Sequence, residues 1–229
     1  MKTYQATRIY ISRINENLGK DRTEYLLQYL SKENIERFHK FHFIKDSLRT
    51  LCGEIIVRAV ISKQFDIKND QIKIEKNFYG KPYIPNLPIH FSISHAGDWV
   101  VCAFSTRNIG IDIEQIKDIQ LDIAERFFSR EEYNFLMEKE ESERQESFYD
   151  LWTLKESYIK WIGSGLSTPL DSFYFTISDK GISVVNPNEV DIPYFKQYSV
   201  DGYKLSVCST VSAFPDNMNL INIDEIVFN

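Results

Sequence analysis

Six residues, Ile109-Gly110-Ile111-Asp112-Ile113-Glu114, constrain this chain more than any other stretch. Isoleucine alternates strictly with glycine or a carboxylate, the period-two pattern of a strand with one apolar face. Ile109, Ile111 and Ile113 then face a core. Gly110, Asp112 and Glu114 share the other face, with the two carboxylates roughly 6–7 Å apart along the backbone. Gly110 leaves room on that face for something to approach closely. Neighbouring carboxylates repel unless water or a cation lies between them. Two readings stand: a half-exposed strand with a solvated acidic face, or a site for a hard cation. Magnesium takes only one or two carboxylates and completes its shell with substrate phosphates and water.

The chain around this strand has 229 residues, enough for one large domain or two small ones with a sizeable core. Its formal charge is −6, which argues against a general nucleic-acid binder. Cys52, Cys102 and Cys208 are dispersed in apolar contexts, the pattern of buried free thiols in a reducing compartment. Met1 to Ser12 has no apolar core of signal length, and the longest uncharged apolar run, Trp99 to Phe104, is far too short to span a membrane. The expected location is the cytoplasm.

Residues 3–12, with Tyr4, Ile9, Tyr10 and Ile11, read as a first strand, and 20–40 as a polar helical region in which Ser31 is a cap without a capping-box partner at Asn34. Leu48, Leu51, Cys52, Ile55, Ile56, Ala59 and Val60 form an unbroken helical stripe over 46–63. Arg49, Thr50 and Arg58 sit off that stripe, and both arginines read as solvated. Asn77 to Tyr83 is turn-rich. Phe91 to Phe104 reads as a hairpin with Ser94, His95 and Gly97 at its tip, where a hydroxyl, an imidazole and backbone amides can meet a phosphate. Ser129 caps a helix, with Glu131 and Glu132 in its first turn.

The last long helix runs through about 146–162, with Phe148, Leu151, Trp152, Ile159 and Ile162 on its buried stripe. Lys155 falls on that stripe, so it must snorkel or meet a partner. Glu156 and Lys160 form an i,i+4 pair worth only about 0.2–0.5 kcal/mol on a surface, which gives no reason for Lys155's placement. Such a mismatch between pattern and burial is typical of functional sites. Gly163, Gly165 and Pro169 end the helix. Strands follow over 173–177, 181–185, 194–200 and 203–208. The tail from Phe214 is acidic and carries no assigned role, and no internal repeat is visible.

Two segments about forty residues apart now matter together: Gly110-Ile111-Asp112-Ile113-Glu114 and Trp152-Thr153-Leu154-Lys155-Glu156-Ser157-Tyr158-Ile159-Lys160. In this order and spacing they closely resemble 4′-phosphopantetheinyl transferases of the surfactin-synthetase-activating type, marked by a G-[I/V]-D-x-E strand and a W-x-x-K-E-x-x-x-K helix. The resemblance extends through Leu48 to Leu51, Tyr79 to Pro82, Phe91 to His95, Arg126 to Ser129 and Leu166 to Phe173, nearly the full chain.

The resemblance implies an α/β (α+β) pseudo-dimer of two similar halves, 1–107 binding coenzyme A and 108–229 carrying the metal and catalytic residues, with the active site in the cleft between them. Coenzyme A would donate 4′-phosphopantetheine to a serine of an acyl, peptidyl or aryl carrier protein, in fatty-acid, polyketide or nonribosomal peptide synthesis, releasing 3′,5′-ADP. Magnesium would be held by Asp112, Glu114 and Glu156. Asp112, Glu156 and Lys160 would be catalytic, with Glu156 a metal ligand, a base or both. Arg37, Arg49, Thr50, Tyr79, Gly80, Lys81, Pro82, Ser94, His95, Lys155 and Lys160 would hold the coenzyme. The family's two phosphate-binding lysines correspond here to Asn34 and Arg37, which implies an altered grip on the 3′-phosphate. Ile116, Ile119 and Leu121 are candidates either for carrier contact or for core packing. No nucleic acid or membrane partner is implied, and a covalent pseudo-dimer can act as a monomer. Two rival functions use the same residues: a magnesium-dependent hydrolase of a coenzyme A-like nucleotide, and a non-catalytic coenzyme A-binding protein.

Overall fold

Two stretches of chain follow the same course. The first runs from β1 (Arg8–Arg13) through helices α1 (Lys20–Leu27) and α2 (Lys32–Lys40) to the 22-residue helix α3 (Ile44–Phe65). A small hairpin of β2 (Glu75–Lys76) and β3 (Pro82–Tyr83) follows, then a long hairpin of β4 (His90–Ala96) and β5 (Trp99–Ser105). The second runs from β6 (Ile109–Gln115) through α4 (Asp122–Phe127) and α5 (Arg130–Met137) to another 22-residue helix, α6 (Glu141–Ile162). Again a small hairpin follows, β7 (Tyr174–Ser178) and β8 (Gly181–Val185), then a long one, β9 (Tyr194–Val200) and β10 (Tyr203–Ser209). In each half the last strand pairs antiparallel with both the first strand and its hairpin mate, giving the orders β1-β5-β4 and β6-β10-β9. The α+β pseudo-dimer is therefore present as a repeat of topology, although no repeat shows in the side chains. This computed structural model describes residues 7–187 and 191–228; Tyr4 of the expected first strand and Asn229 of the tail lie outside them.

Strand alternation sets the layers. Val100, Cys102 and Phe104 of β5 pack with Leu51, Ile55 and Ile56 of α3 in one core. Cys208 of β10 packs with Leu151, Leu154 and Tyr158 of α6 in another. The opposite faces of the two sheets meet in a third core of Ile9, Ile11, Val101, Ala103, Leu205 and Val207, and here Ile109, Ile111 and Ile113 are fully buried.

Several boundaries differ from expectation for local reasons. The polar region over 20–40 breaks into two helices because Ser31 caps the second, its side chain accepting from the Asn34 amide. α6 starts at Glu141, five residues early, since Glu141 and Glu143 suit a helix N-terminus without any apolar signal. Arg58 is not solvated: it is 5% exposed, and its guanidinium donates to Glu54, Asn69 and the Ile72 carbonyl. α3 is buried on more than one face, so an off-stripe position is no guide to exposure. The acidic tail leaves the second half altogether. β11 (Asn219–Leu220) pairs parallel with β1, Arg22 donates to the carbonyls of Ile223 and Ile226, and both isoleucines join the first core. The expected 108–229 unit thus gives its end to the first half. All three cysteines are buried and unpaired. Among the described residues no helix is long and apolar enough to cross a membrane.

Candidate active site

The site exists because β6 and α6 press together. A Cβ on Gly110 would stand 1.9 Å from the Ser157 carbonyl oxygen and 2.5 Å from the Trp161 nitrogen. The close approach that Gly110 permits is thus made by the backbone of α6, not by a ligand. It sets Glu156 and Lys160 of α6 beside Asp112 and Glu114 of β6. The acidic face of β6 is consequently not solvated, and Asp112 is 2% exposed.

Asp112 Oδ1 accepts from Lys160 Nζ at 2.6 Å and from Ser94 Oγ at 2.8 Å, and Lys160 Nζ donates also to Ser94 Oγ at 3.0 Å. Asp112 Oδ2 is buried without a hydrogen-bond partner. Burial raises the Asp112 carboxyl above its ordinary range, against the opposing pull of Lys160 and Ser94. Burial and then Asp112 push Glu114 up to about 7, with Glu156 adding to the effect. Glu156 is raised likewise by burial and by Asp112, while Lys160 opposes. Burial alone would lower Lys160, but Asp112 and Glu156 outweigh it and hold the ammonium charged.

These groups form one wall of a cavity of about 470 Å³ between the two halves, within the usual range for small-molecule sites. The first half contributes Asn34 and Arg37 of α2, Arg49, Thr50 and Glu54 of α3, Lys76 of β2, Pro82 of β3, and Ser94 and His95 of β4. Arg49 is held by Asp46 and by two bonds to the Gly97 carbonyl, and Thr50 Oγ1 donates to the Asp46 carbonyl. Withdrawal from water, then the charges of Lys160 and Arg49, lower the His95 imidazole pKa. Ser94 and His95 lie within β4; only Gly97 and Asp98 make the turn that was expected to carry all three.

Four expected coenzyme residues stand elsewhere. Lys155 is fully buried behind the site. Its Nζ lies 2.6 Å from Glu132 Oε2 and donates to the carbonyls of Leu170 and Phe173, so it ties α6 to α5 and to the chain after α6. It does not line the cavity. Lys81 Nζ donates to the carbonyls of Ile109 and Trp161, a position in which burial lowers its pKa to about 8. Tyr79, Gly80 and Lys81 border a smaller cavity of about 240 Å³ along Gly163 and Gly165, which shares Pro82 and Lys160 with the larger one. Asn77 Oδ1 accepts from the Tyr79 and Lys81 amides and so braces their turn.

Among the described residues no three side chains form a ready-made metal cage. The bare Asp112 Oδ2, with Glu114 and Glu156 nearby as oxygen donors, nevertheless suits magnesium, which needs few carboxylates when a substrate phosphate is present.

A family model described as the 4′-phosphopantetheinyl transferase superfamily matches residues 108–208, and another, described as 4′-phosphopantetheinyl transferase, N-terminal, matches residues 19–107. The 4′-phosphopantetheinyl transferase Sfp of Bacillus subtilis (strain 168) is 42% identical over 223 residues, 96% of this chain and 100% of that protein. This chain belongs to the 4′-phosphopantetheinyl transferase family. The 4′-phosphopantetheinyl transferase gsp of Aneurinibacillus migulanus is 39% identical over 190 residues, 82% of this chain and 80% of that one. A solved holo-[acyl-carrier-protein] synthase of Thermotoga maritima has a TM-score of 0.40 at 19% identity, covering 44% of this chain and 61% of the other.

Sequence reasoning missed two residues of this transferase's site and one behind it. Glu54 and Lys76 line the cavity, yet one sits in a helix interior and the other in a turn-rich segment, with no pattern to mark them. Glu132, the partner of Lys155, was read only as a first-turn acid. Its place in a capping box with Ser129 offered the one local sign of burial.

Proposed function

We propose that the inter-half cleft is where this transferase moves 4′-phosphopantetheine from coenzyme A to the serine hydroxyl of a carrier protein. The observation that carries the reading is Asp112: a buried carboxylate with one oxygen held by Lys160 and Ser94 and the other bare, on the wall of a cavity large enough for a nucleotide. Asp112, Glu114 and Glu156 would hold magnesium against the coenzyme pyrophosphate. When bound, magnesium supplies charge neutralisation for the departing phosphate. The serine oxygen bonds to the phosphorus that bears pantetheine. The bond from that phosphorus to the bridging oxygen breaks, and its electron pair leaves with 3′,5′-ADP. Glu156, its carboxyl raised by burial, accepts the serine proton. A base with a raised pKa is better matched to neutral pH than an ordinary carboxylate. Lys160, kept charged by its acidic neighbours, presents its ammonium to the phosphate oxygens. Arg37, Arg49, Thr50, Pro82, Ser94 and His95 line the part of the cleft that receives the rest of the coenzyme.

In this division of labour the first half grips the donor and the second carries the chemistry. Both halves lie in one chain, so a monomer has a complete cleft, and three unpaired cysteines suit the cytoplasm. The net charge of −6 gives little electrostatic steering toward an acidic carrier. Ile116, Ile119 and Leu121 pack on the second core yet stay partly exposed, so they are the candidates for apolar contact with it.

The test is intact-protein mass spectrometry of apo acyl, peptidyl and aryl carriers with this chain, coenzyme A and magnesium. A gain of one phosphopantetheine, lost on chelation, is expected. Release of 3′,5′-ADP without modification of any carrier would replace the transferase reading with the hydrolase. Absence of both would leave a coenzyme A-binding protein.

A further inference from the structure

Coenzyme A carries negative charge at two separate places, the pyrophosphate and a phosphomonoester on the ribose 3′ oxygen. Lys160, with magnesium that the acidic wall would hold, would account for the first. The second needs cations of its own, and two of the four lysines and arginines lining the cavity are engaged. Lys160 is held by Asp112, and Arg49 by Asp46 and the Gly97 carbonyl. Among the described residues, Arg37 and Lys76 line the cavity with no carboxylate within ion-pair distance. Asn34, which lies beside them on the wall, has no charge to offer. Its amide is spent on Glu54 Oε2 at 2.6 Å, while Glu54 Oε1 takes Arg58 Nε at 2.8 Å. Glu54 is thereby satisfied from within the protein and leaves Arg37 and Lys76 free for a ligand.

Lys76 is on the rim by construction. Ile74 and Lys76 are two residues apart and line the same cavity, as does Pro82, which stands directly opposite Lys76 in the β2–β3 register. The small hairpin therefore supplies a wall with one flexible charge at its exposed edge.

We propose that Lys76 is a specificity-determining residue that, with Arg37, receives the 3′-phosphate and sets the preference for coenzyme A over its dephospho form. This rests on the transferase reading above. The Arg37 fork binds two phosphate oxygens, and the Lys76 ammonium, on its longer reach from the hairpin, takes the third.

The experiment is steady-state kinetics with an apo carrier and either donor, using wild type, Lys76→Gln, Lys76→Arg and Lys73→Gln, with thermal melts to verify folding. Lys73 is exposed and outside the cavity, so it controls for net charge. Wild type should prefer coenzyme A. Lys76→Gln should reduce the ratio of kcat/KM values for the two donors roughly tenfold, through KM for coenzyme A. Lys76→Arg should restore most of it, and Lys73→Gln should leave it unchanged. An unchanged ratio in Lys76→Gln, an equal loss in Lys73→Gln, or a wild type that uses both donors alike would each overturn the assignment. A wild type that uses neither donor would instead overturn the transferase reading itself.

Discussion

Two lysines on α6, Lys155 and Lys160, make the same bond to a carboxylate, and the outcomes are opposite. Lys155 meets Glu132 and Lys160 meets Asp112, each at 2.6 Å. In the interior of the second half every donor and acceptor is used: Lys155 also donates to two carbonyls, and Glu132 accepts from the Ser129 and Phe175 amides. In the cleft, Asp112 keeps one oxygen bare, Lys160 is partly exposed, and Glu114 and Glu156 crowd alongside. The first pair is closed and serves the fold. The second leaves one carboxylate oxygen without a protein partner, the place that the proposed function gives to a ligand. Burial and an ion pair do not by themselves distinguish structure from site.

The comparison is broken or sharpened first at Asp112. Asp112→Ala is expected to lower transfer at least roughly 10³-fold while the protein stays folded, as read by carrier mass spectrometry beside a thermal melt. Substantial residual transfer would mean that the bare oxygen has no role. The two lysines should separate next. Lys155→Ala strands Glu132 in the core and should cost about 3–5 kcal/mol of stability, measured by urea unfolding, against a total of roughly 5–15 kcal/mol. Lys160→Ala should cost less, because its ammonium is partly exposed and burial already inclines the Asp112 carboxyl toward protonation, but about 10²-fold in kcat. A stable Lys155→Ala protein that has lost only activity would reverse the assignment.

The pH dependence is a smaller effect. Burial holds Glu114 at about 7, above its ordinary 4.5, so the metal-free folded state binds more protons than the unfolded chain between those values. Stability without metal should therefore fall as pH rises from about 4.5 to 7. Magnesium requires the deprotonated carboxylates, so its stabilising effect should grow over the same interval. Glu114→Gln should flatten this slope and raise the metal-free Tm at pH 8 by about 2–4 °C, read by scanning fluorimetry with and without magnesium. The smallest change is expected at Ser129: Ser129→Ala removes a capping box on α5 and should cost about 1 kcal/mol, with transfer unaffected.

Much of this was legible in the sequence where a period was present. The alternation at 109–114 marked both the buried isoleucines and the acidic face, and the helical stripes located α3 and α6. The pseudo-dimer came through family resemblance, because its repeat lies in strand order and hairpin placement, which composition does not record. Lys155 was visible as a misfit on an apolar stripe. A sequence marks such a misfit without saying which way the partner lies, and Glu132 on the neighbouring helix answers it from behind the site. The surroundings of Lys81 were not legible either: its segment read as an exposed loop, while the backbone carbonyls of Ile109 and Trp161 to which it donates come from two distant elements.

The strand β11 carries a consequence for the order of assembly. Nearly the whole of the first half is encoded before residue 107, yet the outer edge of β1 is covered only by residues 219–220, and Ile223 and Ile226 complete its core afterwards. During synthesis the first half therefore keeps an open sheet edge and unfilled apolar space until residues 219–226 have been made. The tail acts as a latch set by translation itself: a chain stopped short of it contains Asp112, Glu114, Glu156 and Lys160 and still leaves its opening strand free to pair with another copy.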